Sequence, residues 1–532
     1  MARSVRTFGL GILVAAMGLL VYFGLFGFEL EENLGLHLMI RARGVQAPPE
    51  EVLVISMDKP AADRLGLVAD PQDWPRAIHA RLIDRLASAG ASVIVFDIFF
   101  RDAGDTAEDG ALAEAISRAG NVILFAYLRR DRAQVRISDQ VTSRVINVER
   151  LIAPTDVIAA AAVGLAPFAL PKTKIKVSQF WTFRRSAGDR PTLPAMALQL
   201  FALEAYDDFV RLLGAIDPEA VSGLPQGAES LFRQPGLSRL MDRLKRLFSQ
   251  SPDLADVLLR QLESDPLLAS KPYNQRLLAA MIDLYRAGSG RYLNFYGPPR
   301  SVRTISYADM LEEARVLPDL TRKVVFVGYS AGFQPDQKDA FYTAYSQADG
   351  LDISGVEIAA TAFANLMERS SIRPLAPWPF ILTVIAYGFV AVVVSRTGPA
   401  LYSIGLSTVF AAAYCLAGFG IFFYEYLWVP VAVPVLVQSP LALVSGLAVG
   451  YWETRRERNR IRHAFGHYIP NDVVDQLLQN PGAPLVHQEL RYGICLATDA
   501  EQYTELAESM AAGALQNHLN RYYRALFEPV RA

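Results

Sequence analysis

Four stretches of the chain carry no charged side chain over a membrane-crossing length: Phe8 to Phe28, Trp378 to Ser395, Thr397 to Tyr424 and Tyr426 to Trp452. At about 1.5 Å per helical residue the first covers about 30 Å, the thickness of a hydrocarbon core. Single charges, Arg396 and Glu425, separate the last three. A cleaved signal peptide is the competing reading of the first stretch. No small-x-small cleavage pattern follows it, and the chain runs on into Glu29-Leu30-Glu31-Glu32, so an uncleaved anchor is expected. Pro430, Pro434 and Pro440 predict that the fourth span is kinked.

Between the first and second spans the pattern changes to short apolar runs alternating with amphipathic stretches. Val52 to Ile55, Val93 to Phe96 and Val122 to Phe125 read as buried strands. The stretch through Ile78, Leu82, Ile83 and Leu86, and that through Leu112, Ala115 and Ile116, read as helices. This alternation predicts an α/β domain with a parallel sheet covered on both faces. The pattern returns after Gly290, with strands expected at Tyr292 to Phe295 and Val324 to Val327 and a helix from Val356 to Met367. Residues 204–286 interrupt it with a polar, leucine-spaced helical insertion. Ligands of open parallel sheets favour the crevice beyond the carboxyl ends of the strands. Asp58, Asp97 and Ser330 fall there and are the candidate sensor-ligand residues, with helix capping as their structural alternative. Gly328-Tyr329-Ser330-Ala331-Gly332 also fits the nucleophile-elbow pattern G-x-S-x-G. A later histidine base on the same side of the membrane is missing, so a tight turn is expected instead.

Composition narrows the classes. The 532 residues include 52 Lys+Arg against 54 Asp+Glu, a net charge of −2, with 52% hydrophobic and 20% charged residues. That excludes a disordered chain and a nucleic-acid-coating protein. Two cysteines, Cys415 and Cys495, are too few for a disulfide framework. Arginines set the orientation, because cationic loops resist translocation. Arg3 and Arg6 precede the first span, Arg396 lies between the second and third, and Arg455, Arg456, Arg458, Arg460 and Arg462 follow the fourth. All fall on one side of a four-span protein, so both termini are expected in the cytoplasm and residues 29–377 outside. The spans contain no charge that could serve a transport path.

The exported region resembles a CHASE-type sensory domain of the second type. The residues that carry the likeness are Arg41-Ala42-Arg43-Gly44, Pro48-Pro49, the strand ending at Asp58, Asp73-Trp74-Pro75-Arg76 and Val95-Phe96-Asp97-Ile98-Phe99. Later ones are Asn294-Phe295-Tyr296-Gly297-Pro298, Lys323 to Gly328, Asp336 and Gly355 to Ala360. The resemblance implies a bacterial inner-membrane sensor for an unknown exported ligand, with membrane helices and a cytoplasmic output domain.

After a basic juxtamembrane helix and linker (453–480), residues 481–532 resemble the start of class III nucleotide cyclase domains, which are α+β and ferredoxin-like. A strand is expected from Tyr492 to Leu496, leading to Thr498-Asp499 and a helix beginning near Glu501. The matching residues are Asp499, Tyr503-Thr504, Leu506-Ala507-Glu508, Met510 and Leu519-Asn520-Arg521-Tyr522-Tyr523. The resemblance implies that Asp499 and the carbonyl of Ala500 begin a two-metal site for Mg²⁺ or Mn²⁺, with Tyr503 and Thr504 in the nucleotide-binding turn. It also implies a homodimer acting on ATP or GTP. Ala497, Ala500 and Gln502 depart from the family pattern. The second metal Asp, the base-reading residues and the transition-state Asn and Arg are expected beyond Ala532. The sequence would then be part of a longer chain, or else belong to a truncated protein. The function expected is a receptor-type adenylate or guanylate cyclase controlled by the exported sensor, with no nucleic-acid partner. The alternative is a non-catalytic membrane sensor or scaffold with an incomplete cyclase domain.

Overall fold

The computed structural model describes residues 2–24, 27–68, 70–136, 143–170, 176–286, 288–314, 316–330, 340–346, 352–465, 497, 499 and 501–531. The chain divides into two units, Met1–Tyr451 and Trp452–Ala532.

The centre of the first unit is a six-stranded sheet of β1 (Val52–Met57), β2 (Val93–Phe96), β3 (Val122–Phe125), β4 (Gly164–Ala166), β5 (Thr304–Ser306) and β6 (Val324–Tyr329). Their spatial order is β5-β1-β6-β2-β3-β4, and every neighbouring pair is parallel. The strands are apolar throughout because both faces are covered, yet the pleat still sorts them. Val52, Val54, Val93, Val95, Val324 and Phe326 point to one core, while Leu53, Ile55, Ile94, Phe96, Val325 and Val327 point to the other. Helices Lys59–Leu65, Arg76–Ser88 and Thr106–Ala119 close the second core. Helices Leu193–Phe201, Pro272–Arg286 and Gly355–Glu368 close the first.

Three expectations change. Tyr292–Phe295 does not join the parallel sheet: Gly290–Tyr292 pairs antiparallel with Gln179–Trp181, and β5 takes the edge beside β1. A long hairpin, Tyr127–Arg136 with Ser143–Ile152, stands where no strand pair was expected, because its charge-rich sequence hides the period-two pattern. The helical insertion starts earlier, at Leu193. Its buried Leu240, Leu244 and Phe248 belong to the same core as Val54 and Phe326, so it is packed into the α/β body.

Four helices are long and apolar enough to cross a membrane: Ser4–Phe23, Pro377–Ser395, Ala400–Glu425 and Pro434–Arg460. The first ends at Phe23, short of Phe28, and the backbone at Gly27 lies against that of Val21 and Tyr22. A Cβ on Gly27 would lie 2.0 Å from the Val21 carbonyl oxygen, so only glycine fits. The fourth begins later than Tyr426 because Leu427–Trp428 is extended, paired in parallel with Arg373–Pro374. Of its three prolines, Pro430 lies outside the helix and Pro434 opens a π-helical turn over Pro434–Gln438. Inside the bundle, buried Gln438 donates from Nε2 to the carbonyls of Val384 (3.0 Å) and Val14 (3.3 Å), joining three of the helices.

In the second unit, helix Tyr503–Ser509 begins close to the expected Glu501, and a second helix follows over Ala512–Arg531. The expected strand Tyr492–Leu496, linker residues 466–480, Asp336, Thr498 and Ala500 lie outside the described residues.

Candidate functional site

Helices leave β1 and β6 on opposite faces of the sheet. Lys59–Leu65, after β1, packs into one core, and Gly355–Glu368, the helix that follows β6, packs into the other. Neighbouring strands whose connections diverge in this way open a crevice at their carboxyl ends. Asp58 and Ser330 sit at this crevice.

Asp58 is buried and accepts from the Ala61 amide at 2.9 Å, capping the helix that follows. Its other oxygen receives Arg300 Nη2 at 3.0 Å and Ser56 Oγ at 3.4 Å. Arg300 has φ +66°, and its own amide donates to Glu357 Oε2 at 2.8 Å. Glu357 Oε1 accepts from Ser330 Oγ at 2.5 Å and from Ser354 Oγ at 3.2 Å. Ser354 in turn caps helix Gly355–Glu368, so Ser354 and Glu357 form a Ser-x-x-Glu helix start. Asp58, Arg300, Glu357 and Ser330 therefore form one connected chain of hydrogen bonds. Asp97 is beside it: a Cβ on Gly328 would lie 2.8 Å from Val356 Cβ and 3.3 Å from Asp97 Cβ, which keeps position 328 bare.

This geometry makes the crevice a bonded clasp with the Arg300 guanidinium at its mouth, since the Arg300 side chain is 40% exposed while that of Asp58 is 6% exposed. Ser330 is engaged by a carboxylate. His79 is committed elsewhere, with Nδ1 at 2.8 Å from the Tyr307 hydroxyl in the opposite core. Burial drives His79 down to about 3, so the ring is neutral. These bonds support the structural reading of G-x-S-x-G over a nucleophile elbow. Sequence reasoning missed Arg300 altogether and gave Glu357 no role. The signal was the Ser354-x-x-Glu357 spacing.

A second set of contacts ties this body to the membrane-length helices. Arg43 donates to Asn294 Oδ1 and, at 2.8 Å, to the Phe295 carbonyl, and its guanidinium lies 5.7 Å from the ring centre of Phe422 in the third membrane-length helix. Asn294 and Asn365 exchange two bonds, of 2.8 and 3.0 Å. Arg41 grips the carbonyls of Ala344 and Ser346. Glu31, fully buried, accepts from the amides of Val431, Ala432 and Val433 at the start of the fourth membrane-length helix. Burial pushes its carboxyl up from the ordinary range, and the three amides pull it back.

The tripeptide Arg41-Ala42-Arg43 and the segment Asn294 to Pro298, far apart in sequence, thus meet beside the third membrane-length helix. A model of the CHASE2 domain matches residues 12–395. The chain belongs to the CHASE2 family. The CHASE2 match takes in the α/β body, most of the first membrane-length helix and the whole of the second. Comparisons with curated proteins and with solved structures return no match.

In the second unit Asp499, Tyr503 and Thr504 are exposed. Among the described residues no three His, Cys, Asp or Glu side chains converge to hold a metal ion. The described residues do not by themselves fit a two-metal site.

Proposed function

We propose that this CHASE2 protein is a bacterial inner-membrane receptor whose exported α/β body controls cyclic-nucleotide synthesis in the cytoplasm. The observation that carries the receptor reading is the direct bonding of the α/β body to the connection between the third and fourth membrane-length helices. The Arg373 amide donates to the Tyr426 carbonyl at 2.8 Å and that of Leu375 to Trp428 at 3.1 Å, while Trp428 packs edge-on against Tyr292 at 5.4 Å between ring centres. A shift of the body must move that connection or break these bonds. The basic groups at Arg3 and Arg6, Arg396, and Arg455 to Arg462 support cytoplasmic termini.

For the output, the support is the run from Asp499 to Tyr523, which resembles the opening of a class III cyclase domain. Asp499 would be the first metal carboxylate for Mg²⁺ or Mn²⁺ beside the Ala500 carbonyl, with Tyr503 and Thr504 near the nucleotide, ATP or GTP, in a homodimer. The test is cyclic AMP and cyclic GMP production by membranes containing the full-length protein. Activity lost in Asp499→Ala with unchanged protein level supports the reading; undiminished activity removes it.

A second reading is favoured by the helix Ala512–Arg531, where Tyr523 and Phe527 are half exposed and stack on one side. A non-catalytic sensor would use that face for association alone. It predicts no cyclic nucleotide with either substrate and no effect of Asp499→Ala.

A further inference from the structure

Some of the arginines in and beside the helical insertion are paired with acids. Arg211 meets Asp265 at 2.7 Å, Arg286 meets Asp256 at 2.8 Å, and Arg291 meets Asp283 at 3.2 Å. One group departs from this. Helix Gly236–Gln250 buries Leu237, Leu240, Met241, Leu244 and Phe248 on one side. Arg239, Arg243 and Arg246 follow at the spacing that aligns side chains along one stripe of the opposite side. With Arg233 from the preceding loop they line a cavity of about 600 Å³, together with Gly223 and Ser230. None of the four forms an ion pair with another described residue.

Like charges one turn apart on a helix repel, so this stripe costs stability unless something neutralises it. Asp242 is the single acid in the cavity wall, and Arg246 Nε donates to its main-chain carbonyl at 3.2 Å. Four arginines thus share this lining with one acid. Arg243 is also seated rather than loose: a Cβ on Gly223 would fall 1.5 Å from its Nη2 and 2.0 Å from its Cζ. The bare backbone at 223 makes room for this guanidinium, and any side chain there would displace it. The volume suits a small organic molecule.

We propose that this cavity binds a small polyanion, an organic phosphate or a polycarboxylate, whose oxygens are received by Arg233, Arg239, Arg243 and Arg246. Planar guanidiniums match both oxyanions through paired N–H donors, which a compact ammonium cannot do. The site stands on the geometry of the insertion and is independent of whether the C-terminal unit makes a cyclic nucleotide.

The test is calorimetric titration of the purified full-length protein in detergent at fixed ionic strength, with inorganic pyrophosphate and citrate as probes and chloride as the background anion. Saturable binding of either probe is expected, and a preference for pyrophosphate or for citrate identifies the phosphate or the carboxylate source. The double variant Arg239→Gln/Arg243→Gln should weaken binding by about tenfold or more. Gly223→Val, which keeps all four charges but unseats Arg243, should weaken it severalfold. Absence of saturable binding by both probes would overturn the proposal, as would equal affinity in the double variant. Unchanged binding in Gly223→Val would overturn the seated geometry and leave only diffuse attraction, which is not a site.

Discussion

Glu31 and Val433 are joined by a 2.6 Å hydrogen bond from the Val433 amide to the buried Glu31 carboxylate. The amides of Val431 and Ala432 reach the same side chain at 3.0 and 3.1 Å. The first amides of a helix have no partner within it, and a carboxylate there satisfies both hydrogen bonding and the helix dipole. An acid just beyond the first membrane-length helix thereby fixes where the fourth begins.

Glu31→Ala leaves three amides, two of them buried, without an acceptor and is expected to cost about 1–3 kcal/mol. Glu31→Gln keeps one carbonyl acceptor but loses the charge, and should fall between. Thermal unfolding of the detergent-solubilised protein measures both. Equal stability of wild type and Glu31→Ala would mean that the cap contributes nothing.

At the crevice, two substitutions separate an ion pair from a capping network. Arg300 is 40% exposed, so losing its bond to Asp58 in Arg300→Gln should cost no more than about 1 kcal/mol. Glu357→Ala removes the acceptor of the Ser330 and Ser354 hydroxyls, both in a buried setting, and of the part-buried Arg300 amide, and should cost about 2–3 kcal/mol. Denaturant titration of both variants checks the order. A larger loss in Arg300→Gln would mean that the ion pair holds the crevice.

Four of the six strands of the sheet were legible because a fully covered parallel sheet demands continuous apolar runs, as at Val52–Ile55 and Val93–Phe96, whereas the three-residue edge strands Gly164–Ala166 and Thr304–Ser306 are too short to show a pattern. The four membrane-length helices were legible as uncharged runs, but their ends were not. Past the end of the first, Gly27 makes a backbone contact with Val21 that composition does not reveal. Leu427–Trp428 is as apolar as the helix that follows, and only its partner, Arg373–Pro374, makes it a strand. Asp58 was placed at the crevice by the strand pattern, with helix capping as its structural alternative, and it does cap the helix that follows. Arg300 was invisible because its function depends on a left-handed backbone turn and on a partner 242 positions away.

Glu149 gives a prediction at low pH. Arg184 pairs with it at 2.6 Å, and Ser186 and Arg130 add further donors, so its carboxyl is held down to about 2. An unfolded glutamate titrates at about 4.3, so the folded state favours the charged form and the stabilisation is present above that pH. It is lost as pH falls towards 2. Glu149→Gln should therefore cost about 1–2 kcal/mol near pH 7, allowing for solvent screening of the outer donors. The difference from wild type should close between pH 4.5 and about 2. Melting temperatures recorded against pH test this, and a constant gap across that range would assign the loss to packing.

His79 sets the opposite boundary of acid tolerance. Its ring lies among Trp74, Phe96, Phe100 and Tyr307, and burial holds it at about 3. The unfolded chain takes up a proton near pH 6.5, whereas the folded chain resists until about 3, so stability falls as pH drops through that interval. By pH 5 the loss amounts to about 2 kcal/mol relative to neutral pH. His79→Phe removes the titrating group: the variant should be less stable at pH 7, where the Tyr307 hydroxyl loses its partner, yet lose less stability between pH 6.5 and 5. Parallel melting curves should therefore converge on acidification. If they stay parallel, His79 is not the residue that makes the α/β body acid-sensitive.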